Sequence, residues 1–266
     1  MIPIGDSPIT RRTPWVNYAL ILINIAVFAY VLTLSNEPPP TQAEASEKFV
    51  EMRDGVCYGF EARPTEVDRF YCEWGFQPAE WFDSVRGEAP GQDDRGWAVL
   101  LTIVTSIFLH AGWLHLGGNM IFLWVFGDNI EDRLGHFGYL LFYVAAGIVA
   151  SLIQGFINPE SLVPMVGASG AVAGVLGAYI VWFPGATIVA IVPVLFFLPL
   201  PIPAFFMIGI WFIQNLLAGY MTLGSAGTPD AGVAWFAHIG GFMFGFLLVF
   251  IFLRSVGRPP PRIGRR

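Results

Sequence analysis

Long apolar runs separated by short polar breaks set the pattern of this chain. Residues 15–34 are apolar except for Asn17, Tyr18, Asn24 and Thr33. At about 1.5 Å per residue, such a helix crosses a hydrocarbon core of about 30 Å. No A-x-A-like cleavage site follows it, and it is too long for the apolar part of a secretory signal, so it reads as a span. Further runs cover roughly 99–126, 137–157, 167–183, 204–218 and 233–253. The pattern predicts an all-α polytopic bundle of six membrane-spanning helices. Residues 187–203 are also apolar but carry Pro193, Pro199, Pro201 and Pro203. The part up to Leu198 reaches only about 18 Å as a helix, too short to span. Its Val, Ile and Phe content suits a hairpin at the membrane surface.

Composition agrees with the pattern. Hydrophobic residues make up 55% and charged residues 13%, with 24 Phe and 9 Trp. Soluble domains carry about 45–50% and about 25%. A water-soluble fold, disorder, a collagen and a disulfide miniprotein are excluded as defaults. No basic stripe exists for nucleic acid, and none is expected as a partner.

Charge then orients the spans. Residues 35–98 hold 14 acids and 6 bases, and the rest of the chain 6 acids and 8 bases. Those eight bases are Arg11, Arg12, Arg133, Arg254, Arg258, Arg262, Arg265 and Arg266. Six spans place all of them on one side, which is the positive-inside pattern with both termini cytoplasmic. The expected organisation is a cytoplasmic segment 1–14, a membrane domain 15–253 and a cytoplasmic Arg/Pro tail 254–266. Residues 35–98 form a large outer loop that contains the only cysteines, Cys57 and Cys72. An outer compartment permits a disulfide there; two unpaired thiols are the alternative.

Polar residues within apolar spans are functional candidates by default. No span interior holds Asp, Glu, Lys or Arg, which weakens an ion pump or transporter. The conspicuous residues are His110, His115, Asn119, Ser169, Asn215 and His238. On a regular helix, His110 and His115 would point about 140° apart, so they could not share one ion. His115 and Asn119, four apart, share a face. Asn is a poor transition-metal ligand, so neither a metal nor a cofactor is expected. Ser169, in Gly167-Ala168-Ser169-Gly170, opens the fourth span, where a serine is most often a helix cap. Gly170, Gly174 and Gly177 follow it, and Gly241 and Gly245 follow His238. Two such faces of small residues let helices touch closely and could bring Ser169 and His238 within hydrogen-bond reach. Six spans also put Ser169, His238, His115 and Asn119 at similar depth below the outer surface.

On these residues the chain resembles the rhomboid family of intramembrane serine proteases. The carrying motifs are His110-x4-His115-x3-Asn119, Glu131-Asp132-Arg133-Leu134-Gly135, Gly167-x-Ser169-Gly170 and Ala237-His238-x2-Gly241-x3-Gly245. Their order on alternate spans makes the combination specific. The resemblance implies that Ser169 is a nucleophile and His238 its general base. It implies oxyanion-hole side chains at His115 and Asn119, with His110, Gly167, Gly170, Gly241 and Gly245 in support. It implies hydrolysis of peptide bonds in or near the transmembrane segment of a membrane protein, in a lipid bilayer such as a bacterial-type plasma membrane. The alternative is a catalytically silent rhomboid-like protein that binds transmembrane segments. The residues suit the chemistry independently: imidazole titrates near neutrality and can serve a serine, and Asn and His can donate to an oxyanion. No Asp is placed to orient His238. Two positions depart from the pattern. Leu101-Thr102 stand where some members have a Trp-Arg pair, and Ala173 stands where some have a Tyr that stacks on the catalytic His. His238 must then be held some other way. Asn215 reads as a packing or gate residue, and Glu131 with Arg133 as a cytoplasmic loop clamp.

Overall fold

A computed structural model describes residues 1–8, 10–34, 65–88, 97–192, 198–223 and 233–253. Cys57, most of the acidic loop and the 254–266 tail lie outside the described residues. In chain order the elements are β1 (Ile2–Asp6), α1 (Trp15–Val31), α2 (Glu66–Trp74), α3 (Pro78–Arg86) and α4 (Ala98–Thr105). Then come α5 (Trp113–Ile157), α6 (Ser169–Trp182), β2 (Thr187–Val192), β3 (Leu198–Pro203), α7 (Ala204–Leu223) and α8 (Trp235–Leu248). A π-helical turn, Val249–Leu253, prolongs α8.

The fold is mostly helical, as the apolar runs require, but not all helical. Helices α5, α7 and α8 with its extension are long and apolar enough to cross a membrane; α1, α4 and α6 are shorter apolar helices. Helix α1 stops at Val31, before the end of the apolar run. Helix α5 has 45 residues and breaks at Gly135, whose φ of 72° and ψ of 167° suit only glycine. Its halves double back there. Asn119 in the first half lies beside His110, and Gln154 in the second caps the start of α8, both at the level of Ser169. One residue therefore turns the chain where the sequence suggests a loop.

The run 99–126 is not one span. It divides into α4, a 3-10 turn at Ser106–Phe108, an extended link and the start of α5. Residues 187–203 do form a hairpin, with β2 and β3 antiparallel. The N-terminal strand β1 adds to it in the order β1-β2-β3, an addition not evident from the sequence. The prolines of β3 fall on an edge strand, where a missing N–H does least harm.

Helix α6 is the centre. Its 14 residues reach about 21 Å, less than the membrane core. Residues 170–179 are all buried, packed by α5 and α8. A helix wrapped by others does not itself have to span lipid, so its first residue can lie below a membrane face. Small residues make the contact. A Cβ on Gly241 would overlap the Gly170 carbonyl, and one on Gly245 the Gly174 carbonyl. The glycine faces expected from the sequence do meet.

The bundle has two chemically different ends. At one, Glu131 accepts from the amides of Val16 at 3.0 Å and Asn17 at 2.7 Å, and so caps α1. Asp132 accepts from the amides of Arg11 and Arg12. Arg133 lies over the rings of Trp182 and Phe183. This is the clamp read from the motif, and β1 and the hairpin sit at the same end. At the other end, Thr65 and Asp68 form a capping box that starts α2. Phe76 pairs with Met165, and Tyr71 donates to the His110 carbonyl at 2.7 Å. Residues 65–88 thus rest on the segments that lead to α5 and α6.

Candidate active site

Ser169 is the first residue of α6, and Ala168 occupies the cap position without a side-chain cap bond. The serine is therefore not a cap. Its Oγ lies 2.8 Å from His238 Nε2, in hydrogen-bond contact across the glycine seam between α6 and α8. Helix α8 is itself fixed at this level by Gln154, whose Oε1 accepts from the amides of Phe236 at 3.0 Å and Ala237 at 3.3 Å. That cap substitutes for the missing side-chain cap at Ala234.

Gly167 explains how a second imidazole approaches. Its φ is 135°, a region that L side chains rarely adopt. A Cβ there would lie 2.7 Å from His115 Nε2 and 3.6 Å from Ser169 Oγ. The absent side chain is what lets the His115 ring come this close to the Ser169 end of α6. The Ser169 amide, at the helix start, has no intrahelical acceptor and lies at the positive end of the helix dipole.

Asn119 is buried, and its Nδ2 donates to the His115 carbonyl at 3.0 Å and meets His110 Nε2 at 3.1 Å. Both of its N–H groups are engaged at rest, so donating to a substrate oxygen means releasing one. His110 is fully buried and lies outside any helix, just before α5. The expected divergence of His110 and His115 therefore does not hold. Their ring centroids are 5.0 Å apart, because the chain between them is not helical throughout. His110 touches Asn119, which agrees with its reading as a supporting residue.

Asn215 is the correction. Its Oδ1 lies 2.7 Å from His238 Nδ1, so it is more than a packing residue. The indoles of Trp211 and Trp235 also flank His238, each with its centroid 6.0 Å away. Gln154 and Trp211 are not among the residues that the sequence marks out; Gln154, like Asn215, is a polar residue inside an apolar run, the signal that marks such positions.

His115, Asn119, Gln154, Ser169, Trp211 and His238 line a cavity of about 840 Å³. The arrangement can take a proton from a serine hydroxyl beside donors suited to an oxyanion.

Comparison with known proteins places this constellation. The rhomboid domain profile matches residues 98–255, which contain every one of these groups. The chain is 30% identical over 183 residues to the Rhomboid-like protein 11, chloroplastic, of Arabidopsis thaliana, covering 66% of this chain and 61% of that protein. It is 35% identical over 100 residues to the putative rhomboid protease YdcA of Bacillus subtilis, 38% of this chain and 48% of that one. Over 76 residues it is 42% identical to the rhomboid protease GluP of Bacillus subtilis, 29% of this chain and 14% of that one. The chain spans less than two thirds of the length of each of these relatives.

Proposed function

The chain belongs to the rhomboid family, and from that premise we propose that it is an intramembrane serine endopeptidase acting through a Ser169–His238 dyad. The observation that carries the proposal is the 2.8 Å hydrogen bond between Ser169 Oγ and His238 Nε2 on the wall of a large cavity. Two relatives bear the name protease, which supports the class of reaction.

In the proposed reaction Ser169 Oγ attacks the carbonyl carbon of a peptide bond while His238 Nε2 takes its proton. The carbonyl oxygen becomes an oxyanion in the space beside Gly167. Donors there are the Ser169 amide, His115 and, on releasing one of its bonds, Asn119. His238 returns the proton to the leaving amine as the C–N bond breaks. An acyl ester on Ser169 remains. Water, deprotonated by the same nitrogen, then hydrolyses it and restores the serine.

We also read the architecture as six spans: α1, the two halves of α5, α6, α7, and α8 with its extension. The membrane domain is then 15–253, with 1–14 and the 254–266 tail cytoplasmic. Positive-inside placement of the arginines puts the clamp end in the cytoplasm and the dyad toward the outer face. The membrane is of the bacterial plasma type, and the substrate is the transmembrane segment of another membrane protein.

The test uses the purified chain in detergent with a labelled single-span peptide. Cleavage is expected in the wild type and absent in Ser169→Ala and in His238→Ala at equal expression. Cleavage that survives Ser169→Ala contradicts the mechanism. Peptide binding without cleavage in the wild type supports the silent transmembrane-binding alternative.

A further inference from the structure

A neutral imidazole carries its proton on one nitrogen, and only the other can act as a base. In the dyad the base must be Nε2, so the proton must sit on Nδ1. Something has to enforce that choice. Among the described residues no carboxylate contacts His238 as one does in other serine hydrolases, and the residue four beyond Ser169 is Ala173, a methyl group.

Asn215 sits at the required place. Its side chain is 4% exposed, and its Oδ1 is 2.7 Å from His238 Nδ1. An amide could face the ring with either end, but its other end is already committed: Nδ2 donates to the Trp211 carbonyl at 2.8 Å, one turn back along α7. The end facing His238 is therefore the oxygen, an acceptor. With the proton on Nδ1 the contact is a hydrogen bond. With the proton on Nε2 two lone pairs would face each other, and Ser169 would lose its acceptor. Trp211 and Trp235 cannot make the choice, because an indole offers a donor and no acceptor.

Resting on the protease reading, we propose that Asn215 is the positioning residue of this site. It fixes His238 as the Nδ1–H tautomer and keeps the Nε2 lone pair directed at Ser169 Oγ. The Trp211 carbonyl acts through Asn215 by fixing the amide. The role falls to α7, a helix that otherwise contributes mostly outward-facing apolar residues. The chemistry thus depends on the position of α7 relative to α8.

The test is ¹⁵N-histidine NMR on the full chain in lipid nanodiscs, together with peptide-cleavage kinetics. The chain has four histidines, and His238→Gln identifies the His238 signals. At a pH where the ring is neutral, wild-type His238 is expected to be the Nδ1–H tautomer. Asn215→Leu should give a mixture of tautomers, with kcat reduced about 10–100-fold and KM within about twofold. Asn215→Asp keeps an acceptor and should keep the Nδ1–H tautomer, the readout that simple loss of packing would not reproduce. An Nε2–H tautomer in the wild type overturns the proposal, even if no variant folds. So does an Asn215→Leu protein with wild-type tautomer and kcat. A wild type that neither cleaves nor reacts at Ser169 fails the protease reading instead, while the tautomer comparison still decides the role of Asn215.

Discussion

Single side chains divide into those that the sequence announces and those that it does not. Ser169 and His238 are legible, because their glycine neighbours imply the helix contact that joins them. Asn215 is not. It lies 23 residues before His238 on another helix, so the pairing appears only when α7 and α8 are placed together. His110 misleads because the argument from helix angles assumes a helix that begins only at Trp113. Asn119 is legible as a donor, but not as one already engaged by His110 and the His115 carbonyl. Asn119→Ala should lower kcat for peptide cleavage about 10²–10³-fold, as removal of an oxyanion donor does, with little change in KM. Steady-state kinetics in detergent check it. A rise confined to KM, with kcat unchanged, would assign Asn119 to substrate binding instead.

Among the elements, small residues decide where helices meet. The seam between α6 and α8 brings backbone against backbone at Gly241 and Gly245, with no space for a methyl group. Gly241→Ala should therefore destabilise the fold by about 1–3 kcal/mol through overpacking. It should also weaken probe reaction at Ser169, because the helices carrying the dyad are forced apart. Thermal unfolding in detergent measures the first effect and labelling the second. At Gly209, where a Cβ meets nothing within 4 Å, alanine should be neutral by both measures. Run lengths were legible for most spans but not for 99–126. Apolarity continues through α4, the turn and the start of α5, and no polar break marks where the helix stops. The reversal at Gly135 was legible only as polar residues near Arg133, since a one-residue turn leaves almost no pattern.

For the whole molecule, the split of charge between one acidic outer loop and the arginine-bearing remainder gives the proposed orientation, and the clamp end gives it a structural counterpart. Asp6 on β1 accepts from Asn129 Nδ2 at 2.8 Å and from Tyr179 OH at 2.5 Å, so the N-terminal strand is tied to α5 and to the helix that carries Ser169. Burial raises the Asp6 carboxyl to about 6, above its ordinary 3.8. A raised carboxyl favours the protonated form in the docked state. Its contribution is full below pH 4 and is lost as pH rises through 6. Hydrogen exchange of the β1 amides, corrected for intrinsic rates, should show stronger protection at pH 5 than at pH 8. Asp6→Asn should reduce that difference, the remainder belonging to Asp128, which burial and the neighbouring Asp6 raise to about 7; a wild type equally protected at both values contradicts it. The sheet that contains Asp6 was half legible. Residues 187–203 read as a hairpin, but the joining of β1 depends on a contact about 185 residues away in sequence. The central claim, that Ser169 is a nucleophile activated by His238, is tested most directly by a fluorophosphonate probe with mass-spectrometric mapping of the modified residue. The expected result is a single adduct on Ser169 in the wild type, absent in Ser169→Ala and strongly reduced in His238→Ala. No adduct on Ser169 in a folded wild type, or undiminished labelling of Ser169 in His238→Ala, would contradict it.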